Sequence, residues 1–568
     1  MNNYKYARNE KEAIASFDRA VSLLGKYNVL DLWGIASQLS CIDFYSQIEE
    51  NNNNIFFPIL NFERISMLCK AILASSARDY KSTLFNMNEL GNLFNYLNDA
   101  TYFDPSEDFK DKPRNQLIEF FAKIANAQFR FQGLNIKNDL ARSYLLYDVI
   151  PKDEKDYLQK RHKNNFVDIP TVFRSKTGLS IKEYLTISFT VFAFYYLKYM
   201  DYFKPELNKS DKLLEDLKYR SNPKDYIFKK LQHLIYNSST IRDKFFMSTT
   251  SLILKDSNVI NEDISKKYLF LVSKQVSELG KMYYLSPYRF GSLSLRLSPL
   301  ERYPIIATKD KKYIVPNLRY FDTSIEGFIH YEMQDLYPNN QFNETFGSIF
   351  EKYVRKLVFE RSRDFAIIPE TSYKKKEQVE GPDLSIISPI QNYLVVVEIK
   401  SKKFSLKSRI SPVSSFLEQD LQRIYSALGK LPDKIDDLYC ELPEYAQWQS
   451  VINNIPRKNI ICVIVVSGSL FFLPEVINTL RLEDSNHFLN YYPYKYVIIS
   501  INNFEFAIEL SYHKKSNLFS LLSNYWETSR EPSPKNASSE LFGGLSINTS
   551  DHFLNQYTDE LFKKVNLF

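Results

Sequence analysis

Residues 393–400, YLVVVEIK, constrain this chain more than any other segment. Val395, Val396 and Val397 are β-branched in succession, which reads as a central strand buried on both faces. Such a strand needs strand neighbours and a packed layer on each side. It nevertheless ends in charge. Strand period two puts Glu398 and Lys400 on one face, with Ile399 opposite. An acid and a lysine side by side at the end of a buried strand require a chemical reason.

The segment upstream supplies one. In GPDLSII, residues 381–387, Pro382 suits a strand start, where its missing N–H is tolerated, and Asp383 heads the apolar run. Pairing the two strands as a hairpin through Ser388 to Asn392 brings Asp383 near Glu398. Two carboxylates held close repel each other and raise one pKa unless a cation sits between them. Oxygen ligands favour a hard divalent ion, Mg²⁺ or Mn²⁺. Such an ion polarises a phosphate and lowers the pKa of a bound water. A neighbouring lysine orients that water and offsets developing negative charge. These are the parts that phosphodiester hydrolysis needs.

The pattern Pro382–Asp383 followed by Glu398–Ile399–Lys400 resembles the PD-(D/E)XK nuclease superfamily. The predicted order around it is similar too: helix 343–362, strands 365–373, 382–388 and 392–400, helix 413–429, then strands 461–469 and 494–502. The resemblance covers roughly residues 340–505. It implies an α/β restriction-endonuclease-like core, a mixed central sheet flanked by helices. It also implies Asp383 and Glu398 as metal ligands, the carbonyl of Ile399 as a further ligand, and Lys400 as the lysine that positions water. Members of the superfamily often carry an acid on the first helix. Here FGSIFEKYVRKLVFE puts Phe346, Phe350, Tyr353, Val354, Leu357 and Val358 on one stripe. Glu351 falls at its edge and is the candidate for a further catalytic and metal-binding acid. Glu344 lies one heptad earlier and is the less favoured choice.

Charge around the motif suits an anionic polymer. Residues 400–409, KSKKFSLKSR, hold five cations and no acid, so Lys402, Lys403, Lys407 and Arg409 are expected nucleic-acid contacts. Gln422, on the following helix, is a further candidate. The whole chain has 73 basic and 67 acidic residues, a net charge of +6. That excess permits an anionic partner without requiring one.

The rest of the chain carries no recognisable chemistry. At 568 residues, length suggests roughly two to four domains. Residues 1–295 read as an all-α region. Ala13, Ile14, Phe17, Val21 and Leu24 recur at helical spacing, and so do Ile264, Tyr268, Leu271, Val272 and Leu279. Residues 296–340 read as a hairpin around Lys309–Asp310–Lys311 followed by a helix. Residues 341–530 hold the nuclease-like part, with an insertion near 431–456. Residues 531–568 read as a Ser-, Pro- and Asn-rich linker and a last helix. The longest apolar stretch, Tyr184 to Met200, is shorter than the ~20 residues a membrane span needs and reads as a buried core helix.

Cys41, Cys69, Cys440 and Cys462 form no CxxC pair, and the N-terminus has no apolar signal segment. Both fit reduced thiols in a cytoplasmic protein. The six histidines show no zinc spacing, and there is no Walker A loop. The expectation is therefore a Mg²⁺- or Mn²⁺-dependent endonuclease on double-stranded DNA, of a restriction or antiphage-defence kind by fold-level analogy. Its helical region would sense, bind a protein partner or gate the site, and a homo-oligomer is compatible. Two alternatives stand beside it: a nuclease-fold binding module without free-standing activity, and an RNA or repair nuclease.

Overall fold

The structure, a computed structural model, describes residues 10–48, 62–75, 83–101, 136–207, 229, 231–235, 242–253, 260–284, 298–337, 340–363, 365–374, 378–401, 414–440, 442–467, 493–528 and 551–562. Helices fill the N-terminal half, and a mixed sheet organises the C-terminal half.

Helices α1 (Glu10–Leu24), α2 (Val29–Ile48), α3 (Phe62–Ser75), α4 (Ile136–Tyr144), α5 (Lys155–His162) and α6 (Ile181–Tyr202) build the first half, together with further helices such as Leu90–Thr101 and Ile169–Thr177. The apolar stretch expected to be a core helix is α6. Its start is fixed by a capping box: Ser180 Oγ accepts from the Glu183 amide, and Glu183 accepts from the Ser180 amide at 2.6 Å. It is apolar nearly all round because neighbours surround it, and most of its residues are buried. Its buried tyrosines find partners. The hydroxyl of Tyr195 donates to the Phe245 carbonyl at 3.1 Å and accepts from the Val315 amide at 2.8 Å. No helix among the described residues is long and apolar enough to cross a membrane.

The hairpin expected near residue 310 forms as β2 (Ile305–Ala307) and β3 (Tyr313–Ile314). One feature differs from the sequence expectation. The helical run over 264–279 is broken by β1 (Ser273–Gln275), which pairs in parallel with β2. That pairing partner lies 32 residues downstream (Ser273 opposite Ile305), so no local period reveals it. Helix α7 (Leu318–Leu336) follows, then α8 (Gln341–Glu360).

The main sheet holds β4 (Ala366–Pro369), β7 (Leu384–Ser388), β8 (Tyr393–Lys400), β9 (Ile460–Val466) and β10 (Lys495–Ser500), in the order β10-β9-β8-β7-β4. β7 pairs antiparallel with both β4 and β8, whereas β8, β9 and β10 are mutually parallel. A separate ribbon, β5 (Ser372–Lys374) with β6 (Gln378–Glu380), takes up the end of the single strand expected over 365–373. As its valine run requires, β8 is central and buried.

Alternation along β8 divides the core. Tyr393, Val395, Val397 and Ile399 join the cluster that contains Phe346, Ile349, Phe350 and Val354 of α8. Helices α10 (Ile501–Tyr512) and α11 (Leu518–Thr528) contribute to the same cluster. Leu394 and Val396 face the other way, onto Ile424, Leu428, Leu431, Ile435 and Leu438 of α9 (Ser414–Tyr439). The first cluster does not stop at the sheet. It continues into the N-terminal helices, where Tyr147 stacks on Phe346 with ring centroids 5.2 Å apart.

Helix α9 corrects one boundary. The sequence places a helix end near 429 and an insertion over 431–456, and Pro432, which cannot donate within a helix, lies just past that end. The helix instead runs through Pro432 to Tyr439. Its apolar stripe continues past the proline with Ile435 and Leu438, both fully buried, and that burial outweighs one lost backbone bond. The C-terminal helix α12 (Asn555–Phe562) is present within the expected span 551–566, whereas the proposed linker over 530–548 lies outside the described residues.

A buried polar cluster fastens the two halves. Arg142 of α4 donates twice to Glu505 of α10, at 2.6 Å each, and once to Asp139 at 2.7 Å. The hydroxyl of Tyr353 on α8 also donates to Glu505. Nearby, Arg361 donates to Glu509 at 3.1 Å, and Glu509 accepts from the Phe553 amide at 2.6 Å.

Candidate active site

The β7–β8 register puts Leu384 opposite Val397, so Asp383, one residue before β7, comes opposite Glu398. Glu398 shares its face of β8 with Leu394 and Val396, the face that α9 covers. The hairpin expected from sequence thus brings the two acids together. Asp383 Oδ2 accepts from the Ile399 amide at 2.6 Å, which fixes that carboxylate against the end of β8. Ser467, just past β9, donates its amide to the Lys400 carbonyl at 3.3 Å and extends the pairing to the last residue of the strand.

Lys400 Nζ lies 2.9 Å from Glu398 Oε2 and 3.8 Å from Asp383 Oδ2. The Glu398 side chain is 4% exposed and that of Lys400 32%, so solvent reaches the group through the lysine end. Burial, with Glu398 next to it, pushes the carboxyl of Asp383 up to about 7, against the pull of Lys400 and the Ile399 amide. Burial works against the Lys400 ammonium, but Asp383 and Glu398 outweigh it and hold the ammonium above its ordinary range.

A fourth member was not expected from sequence. Lys434 of α9 donates from Nζ to the Gly381 carbonyl at 2.9 Å and to Glu398 Oε1. Both oxygens of Glu398 therefore take lysine donors. Lys434 sits inside the stretch assigned to an insertion. The signal was its place on the α9 stripe, three residues after Leu431 and four before Leu438, where a lysine needs a buried partner. Gly381 is equally constrained. Its amide donates to the Thr371 carbonyl at 2.8 Å, and an added Cβ would run into the Tyr445 hydroxyl.

Glu351 lies close enough to the group for its charge to act on Asp383 and on Lys400. Its nearest ionic partner among the described residues is Arg161 of α5, at 3.6 Å. Burial raises its carboxyl, and Arg161 and Arg355 oppose that rise. Its helix reaches the end of β8: a Cβ at Gly347, one turn before Glu351, would stand 3.4 Å from Ser401 Oγ. The alternative acid Glu344 accepts from Asn165 Nδ2 at 3.2 Å.

Of the other expected residues, Lys402, Lys403, Lys407 and Arg409 lie outside the described residues. Gln422 falls on α9, with its side chain also outside them. Among the described residues, no group of three or more His, Cys, Asp or Glu side chains is placed to hold a metal ion. The set able to meet a cation is the pair Asp383 and Glu398. Their oxygens are hard donors, and a small divalent ion that keeps most of its waters can be held by one or two carboxylates. Burial, and after it the Glu398 charge, raises the Asp383 carboxyl, and a cation held between the two would offset both. Ser467 Oγ, buried at the end of the neighbouring strand, has no hydrogen-bond partner among the described residues. The donor kinds thus fit such an ion, provided Lys434 gives up its hold on Glu398.

Comparison of the chain with protein-family models, with curated proteins and with solved structures finds no match.

Proposed function

We propose that this chain is a metal-dependent nuclease of the PD-(D/E)XK type, an endonuclease acting on double-stranded DNA. One observation carries the reading: Asp383 stands in register opposite Glu398, and Lys400 follows two residues later on the same face, at the end of a buried central strand. When bound, Mg²⁺ or Mn²⁺ would polarise the phosphate and acidify a water. Asp383 and Glu398 would hold that ion, and the Ile399 amide fixes the Asp383 carboxylate at the end of β8. Lys400, the most exposed of the three, would orient the attacking water and offset charge on the phosphate. Glu351 stands behind them as a further acid. The fold-level analogy alone supports a role in restriction or defence in the cytoplasm, with the helical half as sensor, partner surface or gate.

Plasmid DNA incubated with Mg²⁺ and the full chain tests this. The wild type should nick or degrade it, and Asp383→Ala and Lys400→Ala should each lose at least about a hundredfold, typical for a group acting on developing charge. Equal cleavage by both variants removes the assignment.

A second reading has its own support. Lysines occupy both oxygens of Glu398, a charge-balanced arrangement that suits a nuclease-fold binding module. Mg²⁺-independent DNA binding, with no cleavage under any condition, selects it.

A further inference from the structure

We propose that the turn Lys160–Lys163, at the end of α5 in the helical half, forms one wall of the DNA groove and contacts the phosphate backbone beside the active site. The inference rests on the nuclease reading and adds a binding surface from a part of the chain otherwise without chemistry.

The turn is fastened to α8, the helix that carries Glu351. His162 Nε2 lies 2.9 Å from Ser348 Oγ, and Asn165 donates to Glu344 at 3.2 Å. The Val167 amide donates to Thr345 Oγ1 at 3.2 Å. Lys352 of α8 pairs with Glu154 at 3.1 Å and covers the Tyr157 ring at 4.2 Å. These contacts hold the end of α5 over residues 344–352. Gly347, within that span, is the point where α8 meets Ser401, the residue after Lys400. The basic turn and Ser401, the residue that follows the proposed catalytic lysine, therefore meet the same stretch of α8.

The charge faces outward. Lys160, Arg161 and Lys163 are all exposed, and neither Lys160 nor Lys163 enters an ion pair among the described residues. Cations in a last helical turn often serve to offset the helix dipole. Arg161 does not: its guanidinium turns sideways, to the Tyr157 hydroxyl at 2.7 Å and to Glu351 at 3.6 Å. It thus lies between the exposed lysines and the site. Lys163 adopts φ of 50°, a conformation that L side chains rarely take. Glycine would relieve it, yet the position carries a cation. Three cations in four residues, on a rigid support next to a phosphodiester site, match a duplex backbone, whose phosphates dominate nonspecific affinity.

Fluorescence anisotropy with a labelled 30-base-pair duplex, the full chain, and EDTA to block turnover tests the surface over a series of salt concentrations. Lys160→Gln/Arg161→Gln/Lys163→Gln should bind about tenfold or more weakly, and the slope of log affinity against log salt should fall by about 3. Lys160→Gln/Lys163→Gln, which leaves the Glu351 partner intact, should lower the slope by about 2. Lys163→Gly should lower it by about 1 while keeping or raising the melting temperature, so its loss of affinity cannot come from misfolding. Unchanged slopes in variants of a wild type that cleaves and binds DNA overturn this surface and leave the nuclease reading standing. A wild type that neither binds nor cleaves DNA overturns both. A wild type that binds a 30-base-pair RNA duplex run in parallel, with the slopes falling there and not on DNA, overturns the DNA assignment.

Discussion

Lys434 and Glu398 come from different layers of the C-terminal half, α9 and β8, and the ammonium of one closes on the carboxylate of the other. The same ammonium holds the Gly381 carbonyl, two residues before Asp383. One side chain thus ties the covering helix to both edges of the candidate site. Replacing it with Met should release Glu398 Oε1 for a cation. The expected result is a larger rise in melting temperature on adding Mn²⁺ to Lys434→Met than to the wild type. In the absence of metal the variant should be less stable by about 1–3 kcal/mol, since Lys400 still neutralises the other oxygen. Equal Mn²⁺ shifts in both proteins would show that Lys434 does not compete for that position.

Gly381 offers a steric test of the same corner. Its missing Cβ leaves room for the Tyr445 hydroxyl, and the Thr371 carbonyl would stand 3.1 Å from an added methyl. Gly381→Ala should cost about 1–3 kcal/mol in urea denaturation. Adding Tyr445→Phe should recover part of that loss, because it removes the atom in the way. No recovery in the double variant would locate the strain in the backbone instead.

The buried cluster at Glu505 can be probed by removing one partner. Glu505 is 2% exposed and receives Arg142 and Tyr353. Arg142→Met should destabilise by about 3–5 kcal/mol, because it strands a buried carboxylate. Arg142→Met/Glu505→Gln should lose less than the single variant, since the neutral amide has no charge to strand. A double variant as unstable as the single would assign the loss to packing, not charge.

His552 makes stability depend on pH. Burial holds its imidazole down at about 4, with Arg142, Arg361 and His513 also disfavouring the charged form and Glu505 opposing them. A depressed folded-state pKa gives stability that is present above the unfolded value of ~6.5 and is lost as pH falls through about 4. Denaturation midpoints should therefore drop between pH 7 and pH 4. His552→Gln should flatten that drop by roughly 2 kcal/mol, after discounting for partial exposure. A drop of the same size in the variant would place the proton uptake elsewhere.

The sequence was most legible where one period ruled. The valine run of β8 implied a buried strand, and the short connection after Ser388 fixed a hairpin. Together they set Asp383 against Glu398, as the register has it. The amphipathic stripe of α8 was equally plain, including the edge position of Glu351. Legibility failed where distant partners decide. β1 exists because β2 lies beside it, and α9 survives Pro432 because the sheet covers its apolar face. Lys434 was hidden by that proline, and Arg161 by a span of some 190 residues between it and Glu351 (161 to 351). Nothing in α5 alone tells which helix it will lie against.

The shared core has a consequence for how such a chain can evolve. Phe346 of α8 packs on Tyr147 as well as lying in the layer beneath β8, so the site-bearing half has no apolar-free boundary toward the helices. A recombination break between the halves would give either fragment an open hydrophobic face, a liability for any new host. Either fragment would need polar residues in place of that face before it could stand alone.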